Sequence, residues 1–89
     1  MNIKTTERAL KALANKRRLE ILKYLSRMPE ATVGDVARHI KLSFKATSKH
    51  LGLLMNSDII EKEQQSRMMR YRLSSPQSEM LKTILDTLR

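Results

Sequence analysis

A chain of 89 residues has room for one hydrophobic core, so a single domain spanning 1–89 is expected. Eighteen Lys and Arg against nine Asp and Glu give a formal net charge of +9, which concentrates polyanions, nucleic acid foremost, around the protein. The absence of cysteine excludes disulfides, thiolate metal sites and redox switches, and three aromatic residues are too few for the stacking platforms that single-stranded nucleic acid requires. Duplex DNA is the expected partner. No apolar run approaches membrane-spanning length and MNIKTTERAL lacks a signal-peptide core, so a cytoplasmic protein without a membrane partner is expected.

In chain order, Thr5 or Thr6 is suited to cap a first helix that runs to about Ala14 with Leu10 and Leu13 on its apolar side. Asn15 is suited to cap a second helix, Lys16 to about Arg27, in which Leu19, Ile21, Leu22 and Leu25 follow the helical period before Pro29. Thr32, with Asp35 three residues on, is suited to cap a third helix whose core face is Val33, Val36, Ala37 and Ile40. After Lys41-Leu42, Ser43 caps a fourth, from Phe44 to about Asn56. So short a connection is the spacing of a helix-turn-helix, placed at residues 32–56. The period then changes. Met69 to Leu73 alternates apolar and basic residues, the pattern of a half-buried strand, and Ile59 to Gln64 is a weaker strand. Ser66-Arg67-Met68 between them is the expected turn of a wing spanning 59–73. Ser75-Pro76 reads as a cap and first helical residue for a last helix that carries Met80, Leu81, Ile84, Leu85 and Leu88 in one stripe. The predicted fold class is mainly α with a small β-hairpin: a winged helix-turn-helix.

On a wheel of about 100° per residue, Thr47, Leu51 and Leu54 of the fourth helix share a narrow arc. Lys45, Lys49, Gly52 and Asn56 lie opposite, flanked by Ala46 and Ser48. In a helix-turn-helix the N-terminal part of this helix enters the major groove, where bases display a readable donor and acceptor pattern. Lys45 and Lys49 reach guanine acceptors or phosphates, Ser48 bonds to either, and Ala46 admits close approach or a thymine methyl. Ser43 and the free N–H groups of the first turn suit a phosphate. The competing reading, a merely solvated lysine face, is weakened by the preceding helix and the net charge.

Three stretches, ALANKRRLEILKYL at 12–25, LSFKATSKHLGLL at 42–54 and SRMMRYRL at 66–73, resemble the ArsR-type family of winged-helix regulators. The resemblance covers nearly the whole chain and implies a homodimeric transcriptional regulator whose DNA-facing positions are Phe44, Lys45, Ala46, Ser48, Lys49 and His50. Two residues depart from the pattern. Phe44 replaces a polar residue and is suited to pack as a hydrophobic staple, and Ser66 stands where a wing glycine is common. His50, at the border of the core face, reads as a neutral, buried or phosphate-bonded imidazole. The positions matching the family's arsenic-sensing thiolates are Thr32 and Gly34, and the last helix has Glu79 and Asp86 but no histidine, so no metal and no cofactor are expected.

Arg67 near the hairpin tip, with Arg70 and Arg72 on the outward strand face, is placed to grip phosphate or the minor groove. The competing reading, stronger for Arg70 and Arg72 than for Arg67, is alternation that only keeps the sheet soluble, with Arg70 paired to Glu61 or Glu63 opposite. Lys16, Arg17 and Arg18 are read as a solvated face or as contacts to the DNA backbone. So small a core can hardly cover every apolar residue of both terminal helices. Ile3, Leu10, Leu13, Leu81, Ile84, Leu85 and Leu88, within 3–13 and 76–89, are therefore expected to meet the same surface of a second copy. Two recognition helices about 34 Å apart would then match a near-palindromic operator. So short a chain has little surface left to recruit polymerase, which favours repression over activation. With no glycine-rich phosphate loop, no cysteine and no paired His and carboxylate, no enzymatic activity is expected. A winged-helix module for RNA or protein, such as an antitoxin or assembly subunit, is the alternative.

Overall fold

The computed structural model describes residues 2–88; Met1 and Arg89, the ends of the expected 1–89 span and of the expected 76–89 pairing segment, lie outside the described residues. The elements run α1 (Ile3–Leu13), α2 (Lys16–Leu25), α3 (Val33–Ile40), α4 (Phe44–Asn56), β1 (Ile60–Gln65), β2 (Met68–Leu73) and α5 (Glu79–Leu88). Each helix start has an identifiable side-chain cap. The Asn2 carboxamide accepts from the Thr5 N–H at 2.8 Å, so α1 begins earlier than a Thr5 or Thr6 cap implied. Asn15 accepts from the Arg18 N–H at 3.1 Å and starts α2, which ends at Leu25 rather than Arg27.

Thr32 and Asp35 close a reciprocal capping box: the Asp35 N–H donates to Thr32 Oγ1 at 3.1 Å and the Thr32 N–H donates to Asp35 Oδ2 at 3.0 Å. That backbone N–H, foremost, holds the Asp35 carboxyl below its usual pKa of 3.8. Lys41 ends α3 in the left-handed region at φ 57, and its N–H donates to the Ala37 carbonyl. Two residues later Ser43 Oγ accepts from the Ala46 N–H at 3.1 Å and starts α4. The helix-turn-helix bend is thus a C-terminal stop and an N-terminal cap in immediate succession. Caps of the Ser43 kind typically contribute about 1 kcal/mol each.

Strands β1 and β2 pair antiparallel from Ile60 opposite Leu73 to Gln65 opposite Met68, so the loop is the two residues Ser66 and Arg67. Ser66 takes φ 60, a conformation that costs a residue with a Cβ and costs glycine nothing. A two-stranded ribbon is marginal by itself. This one is tied to the body by a bridge the sequence reading did not include. The Ala31 N–H donates to the Tyr71 carbonyl at 2.9 Å, and the Tyr71 N–H returns to the Ala31 carbonyl at 2.8 Å. Ala31 directly precedes the cap of α3, so the bridge joins the wing to the helix-turn-helix through backbone alone.

Ile21, Leu22, Val36, Leu51, Leu54 and Leu85 are fully enclosed at the centre of the core, with Ile59, Ile60 and Tyr71 supplied by the hairpin side. Thr47 is also enclosed and its hydroxyl has no hydrogen-bond partner among the described residues. The last helix corrects two expectations. Ser78, not Ser75, caps it, accepting from the Leu81 N–H at 3.1 Å, and Pro76 precedes the helix after a cis bond to Ser75. Leu81 and Leu85 of α5, and Leu13 of α1, are buried in the protomer's own core, so these three do not lie on an outer face. Their side chains complete the core that α2 begins, since the apolar stripe of α5 is wide enough to pack inward along one edge and show the other. Ile84 and Leu88 are half-buried, while Ile3 and Leu10 are 90% and 48% exposed.

Ser66→Gly should relieve the positive-φ cost at the wing tip. We expect a gain of about 1 kcal/mol, read as a higher urea midpoint at unchanged slope.

Candidate nucleic-acid interface

Helix α4 presents the two faces expected of it. Thr47, Leu51 and Leu54 point into the core, while Lys45, Ser48 and Lys49 are exposed and Ala46 is half-buried between them. Neither lysine has an acidic partner among the described residues, so the side of α4 that faces solvent carries uncompensated positive charge. Ser43 spends its hydroxyl on the cap. Phe44 is 64% exposed, which rules out a buried staple; it borders an open groove shared with Arg67, Met68 and Met69 of the wing.

His50 lies half-buried at the margin of α4, where its Nδ1 accepts from Arg18 Nη1 at 3.2 Å. That contact assigns the ring proton to Nε2 and keeps the imidazole neutral. Burial first, then the charges of Arg18, Arg17 and Lys49, pull its pKa below the ordinary 6.5. His39 is remote from it in function, stacked on Tyr24 with ring centroids 4.3 Å apart.

The residues that hold α4 in place were not read from the sequence. Arg18 donates through Nε to the Ala12 carbonyl and through Nη2 to the Lys11 carbonyl at 3.4 Å, closing the C-terminus of α1 while its third nitrogen holds His50. Its neighbour Arg17 donates to the Ile40 carbonyl at 2.6 Å, closing the C-terminus of α3 beside Lys41, and also meets Glu20 at 3.4 Å. Cations at helix C-termini satisfy unpaired carbonyls and oppose the helix dipole. The only sequence signal was the adjacency of two arginines after an N-cap, which also fits a solvated face.

On the wing, Arg67 is exposed at the tip and forms no ion pair among the described residues. Arg72, rather than Arg70, takes the cross-strand acids: it lies 3.0 Å from Glu61 and 3.4 Å from Glu63, and the Glu61 hydrogen bond, foremost, raises its pKa. Arg70 turns instead toward Glu30, at 3.8 Å, on the segment that the Ala31 bridge brings alongside. Both strand arginines thus have carboxylate partners, and Arg67 has none among the described residues.

No group of three or more His, Cys, Asp or Glu is placed to hold a metal among the described residues. At the positions matching the arsenic-sensing thiolates, Thr32 Oγ1 is occupied by its cap and Gly34 has no side chain, so these residues do not fit a metal. No described helix is long and apolar enough to cross a membrane.

Two stacked helices at the turn, an outward basic face on the second, and a hairpin beside it define a winged helix-turn-helix DNA-binding protein. Residues 15–62 match the model of the bacterial regulatory protein family arsR, and the chain belongs to that family. It is 34% identical over 79 residues to the transcriptional activator HlyU of Vibrio cholerae, covering 89% of this chain and 72% of that protein. It is 32% identical over 80 residues to the HTH-type transcriptional regulator YgaV of Escherichia coli, covering 90% and 78% respectively. The solved structure of Vibrio cholerae HlyU superposes with a TM-score of 0.81 at 31% identity, over 99% of this chain and 94% of that one. The homodimeric winged helix-turn-helix DNA-binding domain from Mycobacterium bovis superposes at 0.82 with 26% identity, over 97% and 76%. The chain is a transcriptional regulator and not an enzyme.

Because the folded pKa of His50 is depressed, the unfolded chain binds the extra proton first as pH falls below 6.5. The contribution of neutral His50 is complete above 6.5 and is lost as pH drops toward the lowered folded value. In His50→Asn, whose Oδ1 replaces Nδ1, that acid-dependent part should vanish, so the stability gap between parent and variant narrows on acidification. Urea titrations at several pH values measure the gap; an NMR midpoint for His50 above 6.5 would contradict the assignment.

Proposed function

We propose that the chain is a cytoplasmic, homodimeric repressor that reads a near-palindromic duplex operator and uses no metal sensor. The outward stripe of α4 carries this reading: Lys45, Ser48 and Lys49 stand exposed on one side of a capped, rigidly held helix. In the proposed complex α4 lies in the major groove, with Lys45, Lys49 and Ser48 toward base edges and Ala46 where the backbones approach closely. Ser43 and Phe44 sit at the phosphate edge, and His50, held by Arg18, offers its Nε2 proton to the same backbone. Arg67 reaches a flanking phosphate or the minor groove. The functional segments are the helix-turn-helix at 32–56 and the wing at 59–73.

The second copy is proposed to meet Ile3 and Leu10 of α1 together with Ile84 and Leu88 of α5, a narrower surface than 3–13 and 76–89 as a whole. Exposed Ile3 and Leu10 line an apolar groove of about 520 Å³ with Thr6 and Ala14. The homodimeric state named for the Mycobacterium bovis domain supports the pairing. Pairing is also what gives a palindrome its two half-sites. Repression follows from occupying the operator; one relative is named an activator, so a transcription assay with and without the chain decides the sign of the effect.

With the operator selected from a random duplex pool, Lys49→Ala is expected to cost about 1–3 kcal/mol and to relax preference at one base position. Arg67→Ala should weaken all duplexes evenly. An unchanged affinity and preference for Lys49→Ala would remove the helix from the interface. Leu10→Glu, on an exposed site, should leave the fold intact and halve the mass by light scattering, whereas an unchanged mass would refute the pairing surface.

A further inference from the structure

Both ends of α4 open onto grooves, and each groove has cations on its far wall. At the N-terminal end, Phe44 shares an open groove of about 500 Å³ with Arg67 of the wing. At the C-terminal end, Leu53 and Asn56 face Arg8, Lys11 and Arg18 across a groove of about 530 Å³. No residue lining this second groove is acidic. Its α4 wall continues the base-facing stripe: Lys45, Asn56, Lys49 and Leu53 fall within about 80° of the helix circumference. A duplex lying along this stripe from Lys45 to Leu53 would pass over this groove.

The other wall is α1. Lys4, Arg8 and Lys11 are spaced four and three residues apart, which puts them on one side of that helix. All three are exposed, and among the described residues Arg8 forms no ion pair. Lys11 meets Glu7 at 3.9 Å, but both side chains are more than half exposed, and pairs of this kind contribute little. Helix α4 has 13 residues, about 20 Å of length, so the cations of the two grooves flank opposite ends of the helix proposed to face the bases.

We propose that Arg8 and Lys11, with Lys4 in line behind them, form a second phosphate-binding row, which grips the DNA strand on the side of α4 opposite the wing. The proposal rests on the regulator reading above and adds a DNA contact from the helix otherwise assigned to pairing. Lys11 borders the pairing groove as well, so the row lies close to the junction between the two copies, over the DNA between the half-sites. Phosphate contacts carry no sequence information, so the row adds affinity and salt dependence and leaves base preference alone.

The test uses the whole chain, its selected operator and a scrambled duplex, with anisotropy titrations between about 50 and 200 mM salt. Arg8→Gln/Lys11→Gln is expected to lower affinity for both duplexes by similar factors, about tenfold or more at low salt. Counted over both copies of the proposed pair, four cations are lost, so the slope of log affinity against log salt should become shallower by about 4, with the operator-to-scrambled ratio unchanged. Gln keeps helix propensity at exposed sites, so folding is preserved. Should light scattering show a loss of pairing, Arg8→Gln alone carries the test, since Arg8 does not line the pairing groove and the intact pair, short of two cations, should still flatten the slope by about 2. Lys23→Gln, on α2 beside Glu20 and Tyr24, removes the same charge elsewhere and should leave the slope unchanged. An unaltered slope in the double variant, or an equal drop in Lys23→Gln, overturns the proposal. If the parent binds duplex and the double variant keeps its slope, only the second row falls; if the parent shows no salt-dependent duplex binding, the regulator reading falls with it.

Discussion

Arg17 and Arg18 stand side by side at the first turn of α2 and reach in different directions. Arg17 closes α3 through the Ile40 carbonyl, while Arg18 closes α1 through Lys11 and Ala12 and takes hold of His50 on α4. Two helix ends and the margin of a third helix thus converge on two guanidinium groups. Each carbonyl at a helix terminus lacks an intrahelical donor, and a charged donor satisfies it with a bond worth about 1.5–3 kcal/mol. Lysine would supply charge without the fork that lets one side chain serve two carbonyls and an imidazole at once. The pose of the recognition helix follows from this arrangement, because α4 is steered by what stops α3 and by what grips His50.

The positive charge of the chain divides into two populations. Arg17, Arg38, Arg70 and Arg72 are paired with carboxylates, and Arg17 and Arg18 with backbone, so these cations hold the protein together. Lys45, Lys49, Arg67 and Arg8 are among those that meet no acid in the described residues, and these are the ones proposed to meet a polyanion. Net charge reports the sum of both populations and describes neither. A basic face that binds phosphate is defined by the absence of compensation, which only the fold reveals.

Most of the fold was legible in the sequence because its signals are local. The caps Asn15, Thr32 and Ser43 act within three residues, and the change of period after Ile59 marks the wing without any tertiary information. The outward lysines of α4 were legible for the same reason, since a helix wheel needs only the helix. What escaped was nonlocal. The Ala31–Tyr71 bridge joins residues forty apart and leaves no pattern at either, and the Arg18–His50 contact crosses from one helix to another. Ser75-Pro76 mimicked a helix start, yet Ser78 three residues on supplied the cap that the backbone uses. The terminal helices were half legible: their apolar residues were recognised, but which edge faces inward depends on α2, and so Leu13, Leu81 and Leu85 were assigned outward when the core encloses them.

That enclosure changes what pairing means. With Leu81 and Leu85 rooted in its own interior, each copy carries a core of its own, so under the proposed pairing the joining of two copies would be an equilibrium between finished molecules and not a step of maturation. While single copies predominate, the proposed pair accumulates as the square of the amount of chain. Doubling synthesis would then raise operator filling about fourfold, giving a threshold response to protein abundance that needs no effector at all.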